Sequence, residues 1–201
     1  MIDELILVRH GETMHNVAGV AQGWNDSALS ERGQHQVRRL ALRIATLRPD
    51  AIISSPLQRA LTTAQAIADE TGLVVQQLDD LREMSYGTWE GQSFPDVRRN
   101  EKGTYERWIA DPDHPSPNGE SHNDVRRRME NALRILGSES GRVVVVSHAT
   151  AIRIAATVLL EAPIEVSRHL AQDNASMSMF VRRGERMVLK LWNDTSHCAA
   201  E

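Results

Sequence analysis

"LILVRHGETMHN" (residues 5–16) carries four apolar residues straight into an arginine, a histidine and a glycine. An unalternating apolar run of this length has the pattern of a strand covered on both faces, as in a parallel sheet flanked by helices. Two further runs share it, "DAIIS" (50–54) and "RVVVVS" (142–147). Between them apolar residues recur at helical spacing. Val37, Leu40, Ala41, Ile44 and Leu47 follow Ser30, a suitable N-cap, and Leu57, Leu61, Ala64, Ile67 and Ala68 run to a stop at Thr71-Gly72. Ser121 with Asp124 forms a capping-box pattern ahead of Val125, Met129, Ala132, Leu133 and Leu136, and residues 149–160 read as a buried helix. The alternation predicts an α/β protein: three layers, α/β/α, around a mostly parallel central sheet. "SMSMFVR" (176–182) and "RMVLKLW" (186–192), around Arg183-Gly184-Glu185, predict a C-terminal hairpin at one side of that sheet.

The 201 residues suit a single domain, taken as 1–201. Residues 84–120 break the pattern, holding four of the seven prolines and five of the eight aromatic residues. They read as a small, cap-like helical insertion over one edge of the core and over a site; the aromatics serve either that site or a satellite core. The net charge of -4 argues against a nucleic-acid partner. No apolar run approaches the roughly 18 residues of a membrane span, so no membrane partner is expected. Cys198 is the one cysteine, which excludes an internal disulfide framework and fits a cytoplasmic location. A homodimer through the hairpin edge is the one assembly the pattern offers.

Ligands of open α/β sheets bind beyond the carboxyl ends of the strands. There the first run delivers Arg9, His10 and Gly11, the second is followed by Ser54, Ser55 and Arg59, and the third delivers Ser147 and His148. A lone strand-end histidine is commonly satisfied by backbone, and a lone helical arginine is commonly solvated. Two of each at one edge repel one another unless an anion sits among them. Arginines can clasp a phosphoryl group with bidentate forks, and Gly11 and Gly23 allow backbone to come close to its oxygens. No Walker or Rossmann glycine pattern is present, and no H-E-x-x-H or comparable metal spacing, so neither metal nor cofactor is expected. What remains is a metal-free route with a histidine nucleophile, arginines holding charge and a carboxylic acid serving the leaving oxygen.

"LVRHGET" with Asn16, "QGWNDSALSERG" (22–33), "SSPLQRA" (54–60), "LREMSYGTWEG" (81–91) and "VVSHATAIR" (145–153) resemble the ordered blocks of the histidine phosphatase superfamily, in its phosphoglycerate mutase-like branch. The resemblance implies metal-independent hydrolysis of a phosphomonoester of a small metabolite through a phosphohistidine. By it, His10 is the nucleophile, and Arg9, Arg59 and His148 surround the phosphoryl group. Glu83 is general acid and then base. Gly11, Asn16, Gln22, Gly23, Tyr86 and Ala149 bind substrate. A backbone carbonyl near Gly11 is the candidate to hold the nucleophile's other nitrogen.

Glycines often follow the second histidine in this family, whereas Ala149-Thr150 stand here, and Thr150 reads as the first turn of a helix. The alternatives are a cofactor-dependent phosphoglycerate mutase and a non-catalytic phospho-ligand binder. Hydrolysis is preferred to mutase activity because the insertion offers only Arg98, Arg99, Lys102 and Arg107 as cations, and these suit a solvated face. Both His10 and Glu83 are present, which disfavours the binder. Trp24, Tyr86, Trp89 and Trp108 suggest a cap for an apolar or sugar-like group, and Arg126, Arg127 and Arg128 read as a wet helix face.

Overall fold

Strand β1 (Ile2–Arg9) is buried on both faces over Leu5–Val8. Two helices separate it from the next strand, the short α1 (Met14–Ala18) and the long α2 (Glu31–Leu47). Ser30 caps α2 by accepting from the Gly33 N–H, and Val37, Leu40, Ala41 and Ile44 form its buried stripe. Strand β2 (Ala51–Ser54), helix α3 (Gln58–Thr71) and a short strand β3 (Val75–Gln77) follow. The insertion supplies α4 (Phe94–Asn100) and α5 (Lys102–Ala110). Then come α6 (His122–Leu136), β4 (Gly141–Ser147), α7 (Ala149–Leu159) and the pair β5 (Met177–Arg183) and β6 (Arg186–Asp194). The structure, a computed structural model, describes residues 1–199; the final two positions of the 1–201 span lie outside the described residues.

The six strands order as β3-β2-β4-β1-β5-β6. β1, β2, β3 and β4 run parallel, while β5 lies antiparallel to β1 and β6 antiparallel to β5. This is the expected three-layer architecture. Successive side chains of a strand point to opposite faces. Leu5, Leu7, Val143 and Val145 accordingly join one apolar cluster with α6, α7 and the insertion, and Ile6, Val8, Val144 and Val146 join another with α2 and α3. β3 and α1 are additions to the sequence reading. β3 has three residues with Gln76 and Gln77 exposed, too short and too polar to show a strand period. No helix among the described residues is long and apolar enough to cross a membrane.

The insertion's aromatics form a core of their own that is continuous with the α6–α7 cluster. Trp89 and Trp108 are buried and meet edge to face at 5.5 Å between centroids, and Phe94 stacks on Trp108 at 5.9 Å. Their ring area is spent on packing, so Trp89 and Trp108 are not the substrate cap expected above.

His122 lies 4.9 Å from Trp108, buried, with Nδ1 lacking a partner among the described residues. Burial first, then Arg168 and Arg153, lower its pKa to about 4. The unfolded chain therefore takes up this proton below about pH 6.5 and the folded chain only below about 4. Stability present above pH 6.5 is lost as the pH falls through that window, by on the order of 3 kcal/mol for this side chain. Urea unfolding of wild type and His122→Phe at pH 7 and pH 4.5 should show the variant losing clearly less stability on acidification. Parallel losses in the two proteins would refute the assignment.

Candidate functional site

The carboxyl ends of β1, β2 and β4 open on a cavity of about 200 Å³. Arg9, His10, Asn16, Gln22, Gly23, Arg59, Glu83, Tyr86 and Ala149 line it, with Phe94, Thr150 and Arg153. His10 is pinned where β1 ends. Its N–H donates to the Ser147 carbonyl at 3.2 Å, and its carbonyl accepts from Ala175 N–H at 3.0 Å and Asn174 Nδ2 at 3.3 Å. On the ring, Nδ1 lies 2.8 Å from the Gly11 carbonyl. A carbonyl only accepts, so Nδ1 carries the hydrogen and Nε2 keeps a free lone pair. Burial first, then Arg9 and Arg59, push the His10 pKa well below the ordinary value, which keeps the ring neutral.

Gly11 departs from its expected role. Its N–H donates to Thr63 Oγ1 at 3.2 Å, and it does not line the cavity. A Cβ there would meet Val37 Cγ2 at 2.6 Å and the Gly33 carbonyl at 2.8 Å, so the glycine is needed for the close approach of this turn to α2. Gly23 does line the cavity, at φ 52°, and its carbonyl accepts from Arg59 Nη2 at 2.7 Å.

Arg59 is buried in the first turn of α3. Its Nη1 donates to the Asn25 carbonyl at 3.0 Å and reaches Asp26 at 3.4 Å, while Nε has no partner among the described residues. Arg9 donates to the Gln172 carbonyl, and its Nε is likewise buried and unpartnered. Burial lowers both guanidinium pKa values, that of Arg9 to about 10, and each remains a cation at neutral pH. Buried donors are normally paired. Both arginines border the cavity, where an arriving anion would meet their charge.

His148 is fully buried and sits behind the lining, its ring 5.2 Å from that of His10. Its Nε2 lies 2.8 Å from Ser55 Oγ, which also accepts from Leu57 N–H, and its Nδ1 is unpartnered among the described residues. With the Ser55 hydroxyl donating to Nε2, Nδ1–H becomes the spare donor. Burial first and then Arg59 lower its pKa well below the ordinary value.

Asn16 Oδ1 accepts from Thr13 N–H, Thr13 Oγ1 and Asn174 Nδ2. This occupies its oxygen and leaves the amide N–H groups to donate. Gln22 Nε2 donates to Thr13 Oγ1 at 2.6 Å, which orients that side chain on the wall.

Glu83 reaches the site from the loop after β3. Its carboxylate accepts from Met84 N–H at 2.8 Å and, at the start of α7, from Thr150 and Ala151 N–H at 3.2 Å each. The helix's first unsatisfied N–H groups thereby hold the acid. Arg128 braces the same loop, donating to the carbonyls of Asp80, Arg82 and Glu83 and forking onto Glu120. It is therefore not part of the wet helix face assigned to Arg126–Arg128, because α6 turns this one residue toward the loop. Thr150 also exceeds its expected role: its hydroxyl lines the cavity, 2.9 Å from Tyr86 Oη. Trp24 stands outside, donating Nε1 to the Glu83 carbonyl at 2.8 Å with Arg82 over its ring. Arg98, Arg99, Lys102 and Arg107 are exposed and none lines the cavity.

Sequence reasoning missed Arg153, Thr63 and Asn174 as members or supports of this site, and placed Ser55 at the edge without its partner His148. Arg153 stood within a quoted block, one helical turn beyond Ala149; Asn174 had no motif to announce it.

The chain is 34% identical over 197 residues to phosphoserine phosphatase 1 of Hydrogenobacter thermophilus, covering 96% of this chain and 93% of that protein. A bifunctional protein of Mycobacterium tuberculosis is 36% identical over 198 residues, covering 96% of this chain and 54% of that protein. Among solved structures, a mycobacterial glucosyl-3-phosphoglycerate phosphatase in complex with VO3 superposes with a TM-score of 0.86 at 32% identity, covering 95% of this chain and 98% of that one. The family model of the histidine phosphatase superfamily (branch 1) matches residues 5–195, and it is to this superfamily that the chain belongs.

Proposed function

We propose that the chain, a single domain with its insertion at 84–120, hydrolyses phosphomonoesters of small metabolites through a phosphohistidine on His10. The observation that carries this is the His10 ring, its tautomer fixed by the Gly11 carbonyl at 2.8 Å from Nδ1 and its charge suppressed by burial, with the free Nε2 in a cavity lined by Arg9 and Arg59. The phosphatases among its relatives support the same reading.

The ester's phosphoryl group enters among Arg9, Arg59 and the donors of Asn16 and Gln22, with His148 behind the wall against the His10 ring. His10 Nε2 attacks phosphorus, the ester P–O bond breaks, and the leaving alkoxide oxygen takes a proton from Glu83. Glu83, now a carboxylate, removes a proton from water as that water attacks phosphorus. The P–N bond breaks, phosphate leaves and His10 is neutral again. Little covalent work falls to the other residues, because phosphoryl transfer rests on positioning and charge stabilisation. Hydrolysis is preferred to mutase activity because the insertion's four exposed cations offer no second phosphate clamp at the cavity.

With p-nitrophenyl phosphate in excess EDTA, full turnover is expected. Activity lost to EDTA and restored by magnesium would overturn the metal-free mechanism. For 3-phosphoglycerate, interconversion with the 2-isomer faster than phosphate release would overturn the choice of hydrolysis.

A further inference from the structure

Arg153 is the one cavity arginine that the proposed chemistry leaves unused. It projects from α7 two and three residues beyond the N–H groups that hold Glu83, which places it on the acid's side of the cavity. Its Nε donates to the Ala149 carbonyl and its Nη2 to Thr150 Oγ1, both at 3.2 Å. Nη1 has no protein acceptor, and no carboxylate pairs with the guanidinium, among the described residues.

Resting on the phosphatase reading above, we propose that Arg153 is a specificity-determining residue. It binds a carboxylate on the carbon skeleton of the leaving alcohol, so that the preferred substrates are small phosphorylated carboxylic acids. Three features agree. The alcohol must leave on the Glu83 side, because Glu83 protonates it, and Arg153 stands on that side. Charge points the same way: a phosphoryl dianion matches Arg9 and Arg59, and with Glu83 protonated for its acid step the third cation is unmatched until the substrate brings another negative charge. The planar fork of arginine fits a carboxylate, and Thr150 Oγ1 holds it in place.

The test compares kcat/KM for 3-phosphoglycerate and glycerol 3-phosphate, which differ by a carboxylate against a hydroxymethyl group, in wild type, Arg153→Gln and Arg153→Lys. Wild type should prefer the acid by about tenfold or more, mainly through KM; Arg153→Gln should bring the ratio near one, and Arg153→Lys should restore part of it. A ratio unchanged by Arg153→Gln, or a wild-type ratio near one, overturns the proposal. So does a stronger wild-type preference for glycerol 1,3-bisphosphate, which would make the second anion a phosphate. Because the readout is a ratio within each protein, partial loss of folded variant does not mimic it. Turnover of p-nitrophenyl phosphate separates the two levels: if wild type hydrolyses that ester but shows no preference for the acid, this inference alone falls. If it hydrolyses no phosphomonoester, the phosphatase reading falls first.

Discussion

His10→Ala abolishes phosphoryl transfer, lowering turnover by about 10⁴-fold or more, the scale expected when a covalent nucleophile is removed from a site whose other groups remain. The reason lies in the atoms around the ring. Nδ1–H on the Gly11 carbonyl fixes the tautomer, and Arg9 and Arg59 with the surrounding burial keep the imidazole neutral. No second imidazole can substitute. His148 is close, but its Nε2 faces Ser55 and its ring lies behind the cavity wall. Rapid quench with a radiolabelled phosphomonoester should leave acid-labile, base-stable label on wild type and none on His10→Ala. Label that persists in the variant would reassign the nucleophile.

Glu83→Gln is expected to lower kcat/KM, which reports formation of the phosphohistidine, by about 10² to 10⁴-fold for alkyl phosphates and by about tenfold or less for aryl phosphates. An aryl oxide departs without a proton, whereas an alkoxide needs one. The substitution also places an amide where the carboxylate accepts three backbone N–H groups, so a general loss from misplaced geometry is possible to distinguish by leaving group. Equal losses across a series of leaving groups would mean that Glu83 positions the site and does not supply the proton. Phosphohistidine should still accumulate with aryl substrates, because in that half-reaction the acid is dispensable and the water step is the one impaired.

Much of the fold was legible because its signals are local. Leu5–Val8 and Val143–Val146 are buried on both faces, and only a strand inside a covered sheet asks for such a run. Ser30, Gly72 and the Ser121/Asp124 box start or stop helices through bonds made within a few residues. β3 escaped because its pairing with β2 is a property of the sheet and leaves little trace in three residues, two of them glutamines. The site motifs were legible for a related reason. Arg9-His10 and Ser147-His148 sit at strand ends, and parallel strands carry their carboxyl ends to one edge.

The sequence by itself determined the α/β class, the helix caps and the set of strand-end residues able to meet a phosphoryl group. Tertiary structure alone decided the duties of chemically identical side chains. Arg128 braces the Glu83 loop, Arg127 stays in water, and Arg153 reaches the cavity, although all three are helical arginines with unremarkable neighbours in sequence. Trp89 and Trp108 fill a core while Tyr86 and Phe94 reach the site. The physical reason is that the duty of a side chain depends on the surface its element is packed against. Gly11 shows the same division: its identity was plain in the opening stretch, but its need for lack of a Cβ came from α2, more than twenty residues along the chain.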